Sequence, residues 1–316
     1  MKKERIVIAL GGNALQADAN DCSASSQLQV SRETAKSLVD LIEEGHEVII
    51  AHGNGPQVGR IVSVYEKVGE PMPFPECGAM SQGYIGYHLQ QSIKVEMERR
   101  GIDKSVASVV TQVVVDKNDK SFDNPTKPIG AFYSQEAAEV MKKEMGFTMM
   151  EDAGRGWRRV VPSPEPVDVI EAPLVKTLVQ AGHVVITVGG GGIPVIRNER
   201  GLEGVAAVID KDFAAEKIAE IMDADYLVIL TAVEKVSINF NKPNQQDLSE
   251  ISVEDAYKYI EEGHFAPGSM LPKIKAALKF VESKPGRNVL ITSLEKVKEG
   301  ITGQTGTVIV NKYSNM

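Results

Sequence analysis

Apolar and polar residues form two different patterns along this chain, and segments with one pattern alternate with segments that have the other. Short, nearly continuous apolar runs such as RIVIAL, EVIIAH, HVVITV and YLVIL have the length and composition of buried β-strands. Between them, segments such as SRETAKSLVDLIEE and DFAAEKIAEIM repeat apolar residues at the spacing of an amphipathic helix. This alternation predicts an α/β protein with a largely parallel sheet covered by helices on both faces.

One segment, residues 116–166, breaks the alternation. It contains a short helical stretch, Gln135–Met145, between two flanks that are dense in proline, glycine and charge. Long irregular insertions in compact domains are usually functional. We therefore expect residues 116–166 to form a lid over a binding site. The alternative is a flexible surface loop. The predicted organisation is a lobe over residues 1–185, which carries the lid, and a second lobe over residues 186–316 that shares the same sheet.

Composition narrows the class of protein. The 316 residues are 42% hydrophobic and 25% charged, as in an ordinary globular protein. The formal net charge of −8 argues against a nucleic-acid or anionic-membrane partner, since both require a basic surface. Cys22 and Cys77 are far apart, which indicates neither a disulfide framework nor a zinc site. No apolar run has the length of a membrane span or a secretion signal, so we expect a cytoplasmic protein.

Glycine-rich turns follow three of the predicted strands. They are Gly11-Gly12-Asn13, Gly53-Asn54-Gly55 and residues 189–192. The carboxyl ends of parallel strands lie along one edge of a sheet, so these turns are expected to converge. Their backbone N–H groups, with the ends of the following helices, can form an anion cradle. The alternative is that glycine is simply common in βα turns, and neither the P-loop motif nor the dinucleotide motif is present.

Lysines near predicted helix starts strengthen the case for an anion site. Pro272 is predicted to begin a helix, which puts Lys273 in the first turn, where the helix dipole disfavours a cation. A negatively charged partner is therefore expected there. Lys211 precedes another helix between Asp210 and Asp212, of which one is expected to cap the helix and the other to hold Mg²⁺. A solvated surface charge is the alternative for Lys211.

Lys127 lies within residues 116–166, which we call the excursion. It is a weaker candidate, because an ordinary surface lysine is the more common role for such a residue. Taken together, these features suit phosphoryl transfer, in which a protein positions two anions in line. Lysines, metal and backbone N–H groups neutralise the charge, and no covalent nucleophile is needed. The sequence offers no Ser-His-Asp set or paired-carboxylate motif as a competing chemistry.

Nine segments resemble carbamate kinases, which are members of the amino-acid kinase superfamily, and they do so in order and nearly from end to end. They are VIALGGNAL, GNGPQVG, CGAMSQGYIGY, NPTKPIGAFY, EDAGRGWRRVVPSPEP, GGGGIPV, VIDKDFAAEKIA, TAVEKVSINFNKPNQ and GSMLPKIKAAL. The resemblance implies an open αβα sandwich with a mostly parallel central sheet, a protruding lid subdomain and a homodimer. It also implies the Mg²⁺-dependent reaction ATP + carbamate ⇌ ADP + carbamoyl phosphate, usually run toward ATP in arginine breakdown.

The resemblance also implies roles for individual positions. The catalytic residues would be Lys211 and Lys273, which neutralise the transition state, Asp210, which orients a lysine or the metal, and Lys127, which closes over the substrates. Mg²⁺ would be held through the phosphates, with Asp210 as a possible further ligand. The implied substrate-binding residues are Gly11, Gly12, Asn13, Gly53, Asn54 and Gly55. The implied nucleotide-binding residues are Gly190, Gly191, Asp212, Thr231, Ala232, Val233, Met270 and Pro272, with adenosine held by residues 231–241.

One departure from the superfamily pattern refines this interpretation. Many superfamily members carry a lysine inside the first strand, where this chain has Ala9 and Leu10. Carbamate kinases share that departure, which favours them over acetylglutamate, glutamate and uridylate kinases. Another small-acid kinase of the same fold and a non-catalytic nucleotide-binding regulator remain as alternatives.

Overall fold

The structure, a computed structural model, describes residues 3–16, 21–70, 72–152 and 154–311. The helices are α1 (Ala24–Glu43), α2 (Gly55–Val68), α3 (Phe74–Arg99), α4 (Gln135–Met145), α5 (Ala172–Gln180), α6 (Lys211–Ile221), α7 (Val253–Glu261), α8 (Met270–Ser283) and α9 (Val297–Ile301). The strands are β1 (Arg5–Leu10), β2 (Glu47–His52), β3 (Val106–Ser108), β4 (Gln112–Val115), β5 (Lys127–Tyr133), β6 (Met149–Glu151), β7 (Trp157–Val161), β8 (Pro166–Val169), β9 (Val184–Ile186), β10 (Ile193–Asn198), β11 (Gly201–Gly204), β12 (Tyr226–Leu230), β13 (Val236–Ile238), β14 (Gln246–Leu248), β15 (Glu250–Ser252), β16 (Asn288–Thr292) and β17 (Thr307–Val310).

The central sheet has eight strands in the order β15-β17-β16-β12-β1-β2-β9-β3. Neighbouring strands are parallel except for β16 and β17. The predicted αβα architecture with a mostly parallel sheet is therefore confirmed. Strands from the first part of the chain form one side of the sheet, and strands from the last part form the other. The predicted lobe boundary at 185/186 falls inside β9, and the division into two lobes stays a prediction.

Strand β1 shows why the strands of the central sheet are continuous apolar runs in the sequence. Ile6 and Ile8 point into the cluster formed with α1 and α3, whereas Val7 and Ala9 point into the cluster formed with α5, α6 and α8. All four residues are fully buried. Because helices cover both faces, neither face of the strand can be polar.

The excursion is a folded subdomain. It contains a three-stranded antiparallel sheet in the order β5-β7-β6, with α4 alongside. Ser134 caps α4 by accepting the N–H of Ala137, and Gly146 ends it with a φ of 68°, so the predicted helical stretch is confirmed. The flanks expected to be irregular contain β5 and β7, because pairing across the sheet outweighs their proline and glycine content.

The excursion is attached to α2. Ile129 and Val161 from the excursion bury their side chains against Val58 and Val62 of α2. Strand β5 also passes close to this helix, where a Cβ on Gly59 would lie 3.1 Å from the backbone of Gly130. This packing holds the first residue of β5, Lys127, beside the carboxyl edge of the central sheet.

Candidate active site

The three glycine-rich turns meet at the carboxyl edge of the central sheet. A Cβ on Gly190 would lie 2.1 Å from Nδ2 of Asn54, which places the third turn directly against the second. A Cβ on Gly11 would lie 2.8 Å from the carbonyl oxygen of Leu230 at the end of β12. These contacts confirm the predicted convergence of the turns. Side chains are excluded at Gly11 and Gly190 because neighbouring atoms already fill the space, whereas a Cβ on Gly12 or Gly55 would meet nothing within 4 Å.

Two cavities open at this edge, with volumes of about 260 Å³ and 320 Å³. Gly12, Lys211 and Lys273 line both, so the cavities meet at these three residues. The first cavity is also lined by Gly11, Ala14, Leu230, Thr231, Ala232, Ser293, Leu294 and Glu295. The second is also lined by Leu15, Gly53, Asn54, Gly55, Pro56, Gln57, Val58, Lys127, Pro128, Ile129, Gly190, Val208, Ile209, Asp210, Asp212, Gly268, Ser269 and Pro272.

A buried aspartate joins the two lysines at the junction. Oδ1 of Asp212 lies 2.6 Å from Nζ of Lys211, and Oδ2 lies 2.8 Å from Nζ of Lys273. Burial alone would raise the pKa of Asp212, but the two ammonium charges outweigh it and hold that pKa at about 2. Burial lowers the pKa of the Lys211 ammonium, with the Asp212 charge acting in the opposite direction. Asp212 is the negative partner expected for Lys273.

Asp210 links the excursion to α6, the helix that contains Lys211 and Asp212. Its Oδ1 accepts the backbone N–H of Asp212 at 2.9 Å and so caps the start of α6. Its Oδ2 lies 2.7 Å from Nζ of Lys127. The sequence left open which of the two aspartates caps the helix, and the structure shows that Asp210 does. Three lysines and two aspartates line the second cavity, which leaves an excess of positive charge there for an anionic ligand.

The start of α8 differs from the sequence prediction. The helix begins at Met270 instead of Pro272, because the N–H groups of Ser269 and Leu271 both bond the carbonyl of Ala266 and turn the chain earlier. Proline is tolerated in the first turn because an N–H there has no partner inside the helix. Lys273 is consequently the fourth residue of the helix and still faces the junction.

The amino terminus of α2 points into the second cavity. Asn54 precedes the helix, and its buried side chain donates to the hydroxyl of Ser81 at 2.8 Å. Among the described residues, the backbone N–H groups of Asn54 and Gly55 have no hydrogen-bond acceptor. Unpaired N–H groups at a helix start are a favourable site for phosphate or carboxylate.

Most of the predicted site residues line the two cavities, with some differences in grouping. Gly190, Asp212 and Pro272, predicted for the nucleotide, line the second cavity together with the predicted substrate residues. Val233 lines a separate cavity of about 440 Å³, and Met270 packs against the core. Gly191 packs against Ile209, where a Cβ on the glycine would lie 2.2 Å from the Ile209 carbonyl oxygen. The side chain of Asn13 lies outside the described part of the chain. The ligand roles of all these residues stay predictions.

Several lining residues were not found from the sequence. Ser293, Leu294 and Glu295 directly follow β16, so the rule that ligands bind at strand ends could have located them. Gln57 is buried and its Oε1 has no described partner, while its Nε2 donates to Gln27 at 2.8 Å. No local pattern marks Gln57 apart from its place in GNGPQVG.

Within the described ranges, histidine, cysteine, aspartate and glutamate side chains form no group of three or more that could hold a metal ion. A search of the same ranges finds no helix with the length and apolar character needed to cross a membrane.

Comparison with known proteins identifies the family. The model of the amino acid kinase family matches residues 4–293. The chain therefore belongs to the amino acid kinase family.

Individual relatives narrow the assignment to the carbamate kinases. The chain is 59% identical to a carbamate kinase of Clostridium perfringens over 312 residues, which cover 97% of this chain and 99% of that one. It is 57% identical, with the same coverage, to the carbamate kinase-like protein YqeA of Escherichia coli. The structure of Giardia lamblia carbamate kinase bound to AMP-PNP superposes with a TM-score of 0.91 at 39% identity, covering 98% of this chain and 99% of that one. Within its family, the chain falls among the carbamate kinases.

Proposed function

We propose that the protein is a kinase that transfers a phosphoryl group reversibly between ATP and carbamate, with ADP and carbamoyl phosphate on the other side of the equilibrium. The observation that carries this proposal is the junction of the two cavities at Gly12, Lys211 and Lys273. A transferred phosphoryl group must touch both its donor and its acceptor, so the shared boundary is where it would pass.

The nucleotide is assigned to the first cavity. Thr231 and Ala232 line it from the end of β12, and Leu294 lines it from the end of β16. The related Giardia protein was solved with AMP-PNP, an analogue of ATP, which supports an adenine nucleotide as ligand here. The phosphates would then extend toward Gly12 and the two lysines.

Carbamate and carbamoyl phosphate are assigned to the second cavity. Its N–H groups at the start of α2 and the ammonium group of Lys127 suit a small anion. Carbamate already carries negative charge on the attacking oxygen, so the chemistry needs no strong general base. The two lysines bridged by Asp212 would stabilise the charge on the equatorial oxygens during transfer.

Mg²⁺ is proposed as the metal, held mainly by phosphate oxygens. The donor set fits that arrangement, because the second cavity offers the carboxylate of Asp210 but no cluster of three acidic or histidine ligands among the described residues. When bound, Mg²⁺ would neutralise phosphate charge. Asp210 is already shared with Lys127, so it would orient either the lysine or the metal.

The cellular setting is proposed from the resemblance. The reaction would run toward ATP in arginine breakdown, in the cytoplasm, and the protein would be a homodimer. Size-exclusion chromatography with light scattering checks the last point. A mass near twice the 34.3 kDa of the chain is expected, and a mass near 34.3 kDa would contradict it.

Formation of ATP from ADP, Mg²⁺ and carbamoyl phosphate tests the proposed activity. We expect turnover with carbamoyl phosphate and much slower turnover with acetyl phosphate at equal concentration. Preference for another acyl phosphate would indicate a different small-acid kinase of the same fold. Binding of ADP without turnover of any acyl phosphate would indicate a non-catalytic regulator, and either outcome would overturn the proposal.

A further inference from the structure

His52 ends β2, directly before the second glycine-rich turn, and only 1% of its surface is exposed. Its Nδ1 lies 2.8 Å from the carbonyl oxygen of Gly53. A carbonyl oxygen can only accept, so Nδ1 must carry the proton. Burial lowers the pKa of His52 to about 4, and the charge of Lys211 acts in the same direction. The ring is therefore neutral near pH 7, with its proton on Nδ1.

This hydrogen bond determines the orientation of the next peptide group. In a trans peptide the C=O and N–H bonds point in opposite directions, and the chain contains no cis peptide bond in its described ranges. With the Gly53 carbonyl held toward the buried His52 ring, the N–H of Asn54 points to the opposite side. That N–H has no acceptor among the described residues, and Asn54 lines the second cavity.

The same ring also supports the third glycine-rich turn. A Cβ on Gly189 would lie 2.4 Å from Nε2 of His52, so this glycine packs directly against the imidazole. The adjacent Gly190 packs against the side chain of Asn54. One buried side chain thus contacts two of the turns that surround the second cavity.

We propose that His52 is a positioning residue, which holds the Gly53–Asn54 peptide so that the Asn54 N–H donates to the anionic group in the second cavity. The proposal rests on the proposed function and deepens it. His52 exchanges no proton with the substrate in this role. It acts only through the backbone donor that it orients.

Substitutions at His52 separate this role from simple core packing. In His52→Asn the side-chain amide nitrogen can take the place of Nδ1, whereas in His52→Gln the amide is one carbon further out, and His52→Leu has no donor. His46 provides a matched control. It is a buried histidine just before the other end of β2, and its Nδ1 accepts the N–H of Glu4 at 3.3 Å.

The measurements are thermal stability, kcat, the KM values for carbamoyl phosphate and ADP, and equilibrium binding of inorganic phosphate. We expect His52→Leu and His52→Gln to lower kcat/KM for carbamoyl phosphate by roughly 10- to 100-fold, comparable to the loss when a hydrogen-bond partner that orients a metal ligand is removed. KM for ADP should change less than about 2-fold, since the peptide lies in the other cavity. His52→Asn should recover most of the activity, and His46→Leu should keep wild-type kinetics whatever its stability.

Wild-type kinetics in folded His52→Leu would overturn the proposal, as would equal losses in His52→Asn and His52→Gln. The Asn and Gln variants decide the matter if His52→Leu fails to fold. If the wild-type protein does not turn over carbamoyl phosphate, the proposed function fails. Phosphate binding then tests the positioning role separately, since His52→Gln should bind phosphate more weakly than the wild type and His52→Asn should not. Equal phosphate binding by all three proteins would overturn the positioning role.

Discussion

Nζ of Lys273 lies 2.8 Å from Oδ2 of Asp212, a residue 61 positions earlier on a different helix. This contact ties the start of α8 to the start of α6 at the place where the two cavities meet. The other carboxylate oxygen holds Lys211, so one buried anion sets the position of both ammonium groups. Under the proposed function, these two lysines stabilise the phosphoryl group in transfer.

Asp212→Asn keeps the size of the side chain but removes the charge between the lysines. We expect kcat to fall by roughly 100-fold or more, because the ammonium groups lose the anion that orients them. The pKa of Asp212 is about 2 in the folded protein against an ordinary 3.8, so its stabilisation is present above pH 4 and is lost as the pH falls toward 2. The difference in unfolding free energy between the wild type and Asp212→Asn should therefore shrink by about 2 kcal/mol as the pH falls from 4 to 2. Urea unfolding of both proteins from pH 6 to pH 2 measures it, and a constant difference would contradict the prediction.

Glu216 should make the free energy of unfolding depend on pH in the opposite direction from Asp212. It is buried in α6, its Oε2 has no hydrogen-bond partner among the described residues, and burial raises its pKa to about 7. Because the pKa of Glu216 is higher in the folded protein, folding favours the protonated carboxyl. Its contribution to the free energy of unfolding is complete below pH 4.5 and is lost as the pH rises through 7. Glu216→Gln should therefore gain about 2–3 kcal/mol relative to the wild type between pH 5 and pH 8.

Urea unfolding at the two pH values measures this gain. Glu261→Gln, which changes an exposed carboxylate, is the control and should show no comparable pH dependence. A stability difference between wild type and Glu216→Gln that is the same at both pH values would show that the pKa of Glu216 is not raised by folding.

Gly190→Ala tests the contact between the second and third glycine-rich turns. The new methyl group would overlap the Asn54 side chain, and the φ of 66° is already unfavourable for alanine. Gly146→Ala is the matched control, because its φ of 68° imposes the same strain in open space. Each substitution should cost about 1–2 kcal/mol in backbone strain, but only Gly190→Ala should also reduce kcat/KM for carbamoyl phosphate. Equal activity in the two variants would show that the contact is unimportant.

Lys127→Ala removes the lysine that the excursion brings to Asp210. About 35% of this side chain is exposed, against 16% for Lys211 and 12% for Lys273, so we expect a milder effect than at those two lysines. KM for carbamoyl phosphate should rise by about 10-fold, equivalent to about 1.4 kcal/mol of binding, while kcat changes less. Steady-state kinetics with carbamoyl phosphate as the varied substrate measure this. Unchanged kinetic constants would indicate an ordinary surface lysine.

Features set by local sequence were predictable. The buried strand β1, the helical stretch Gln135–Met145 and the cap of α6 by an aspartate all depend on residues within a few positions of one another. The convergence of the glycine turns was also predictable, because it follows from the parallel sheet.

Features that depend on distant parts of the chain were not predictable to the same degree. The excursion strands β5 and β7 form through pairing with each other, which outweighs local composition. The sequence indicated that Lys273 needs an anion but could not say that Asp212 supplies it. His52 was missed because a single histidine at the end of an apolar strand carries no local sign of its contact with two glycine turns.

The proposed role of the two lysines is tested most directly by kcat for ATP formation from ADP and carbamoyl phosphate in Lys211→Ala and Lys273→Ala. Lys275→Ala serves as the control, since this exposed lysine lies on α8 two residues from Lys273. We expect each of the first two variants to stay folded and to lose about 100- to 1,000-fold in kcat, as when one stabilising donor is removed from a transition state. The control should match the wild type. A folded Lys211→Ala or Lys273→Ala variant with wild-type kcat would contradict a role of that lysine in stabilising the transferred phosphoryl group.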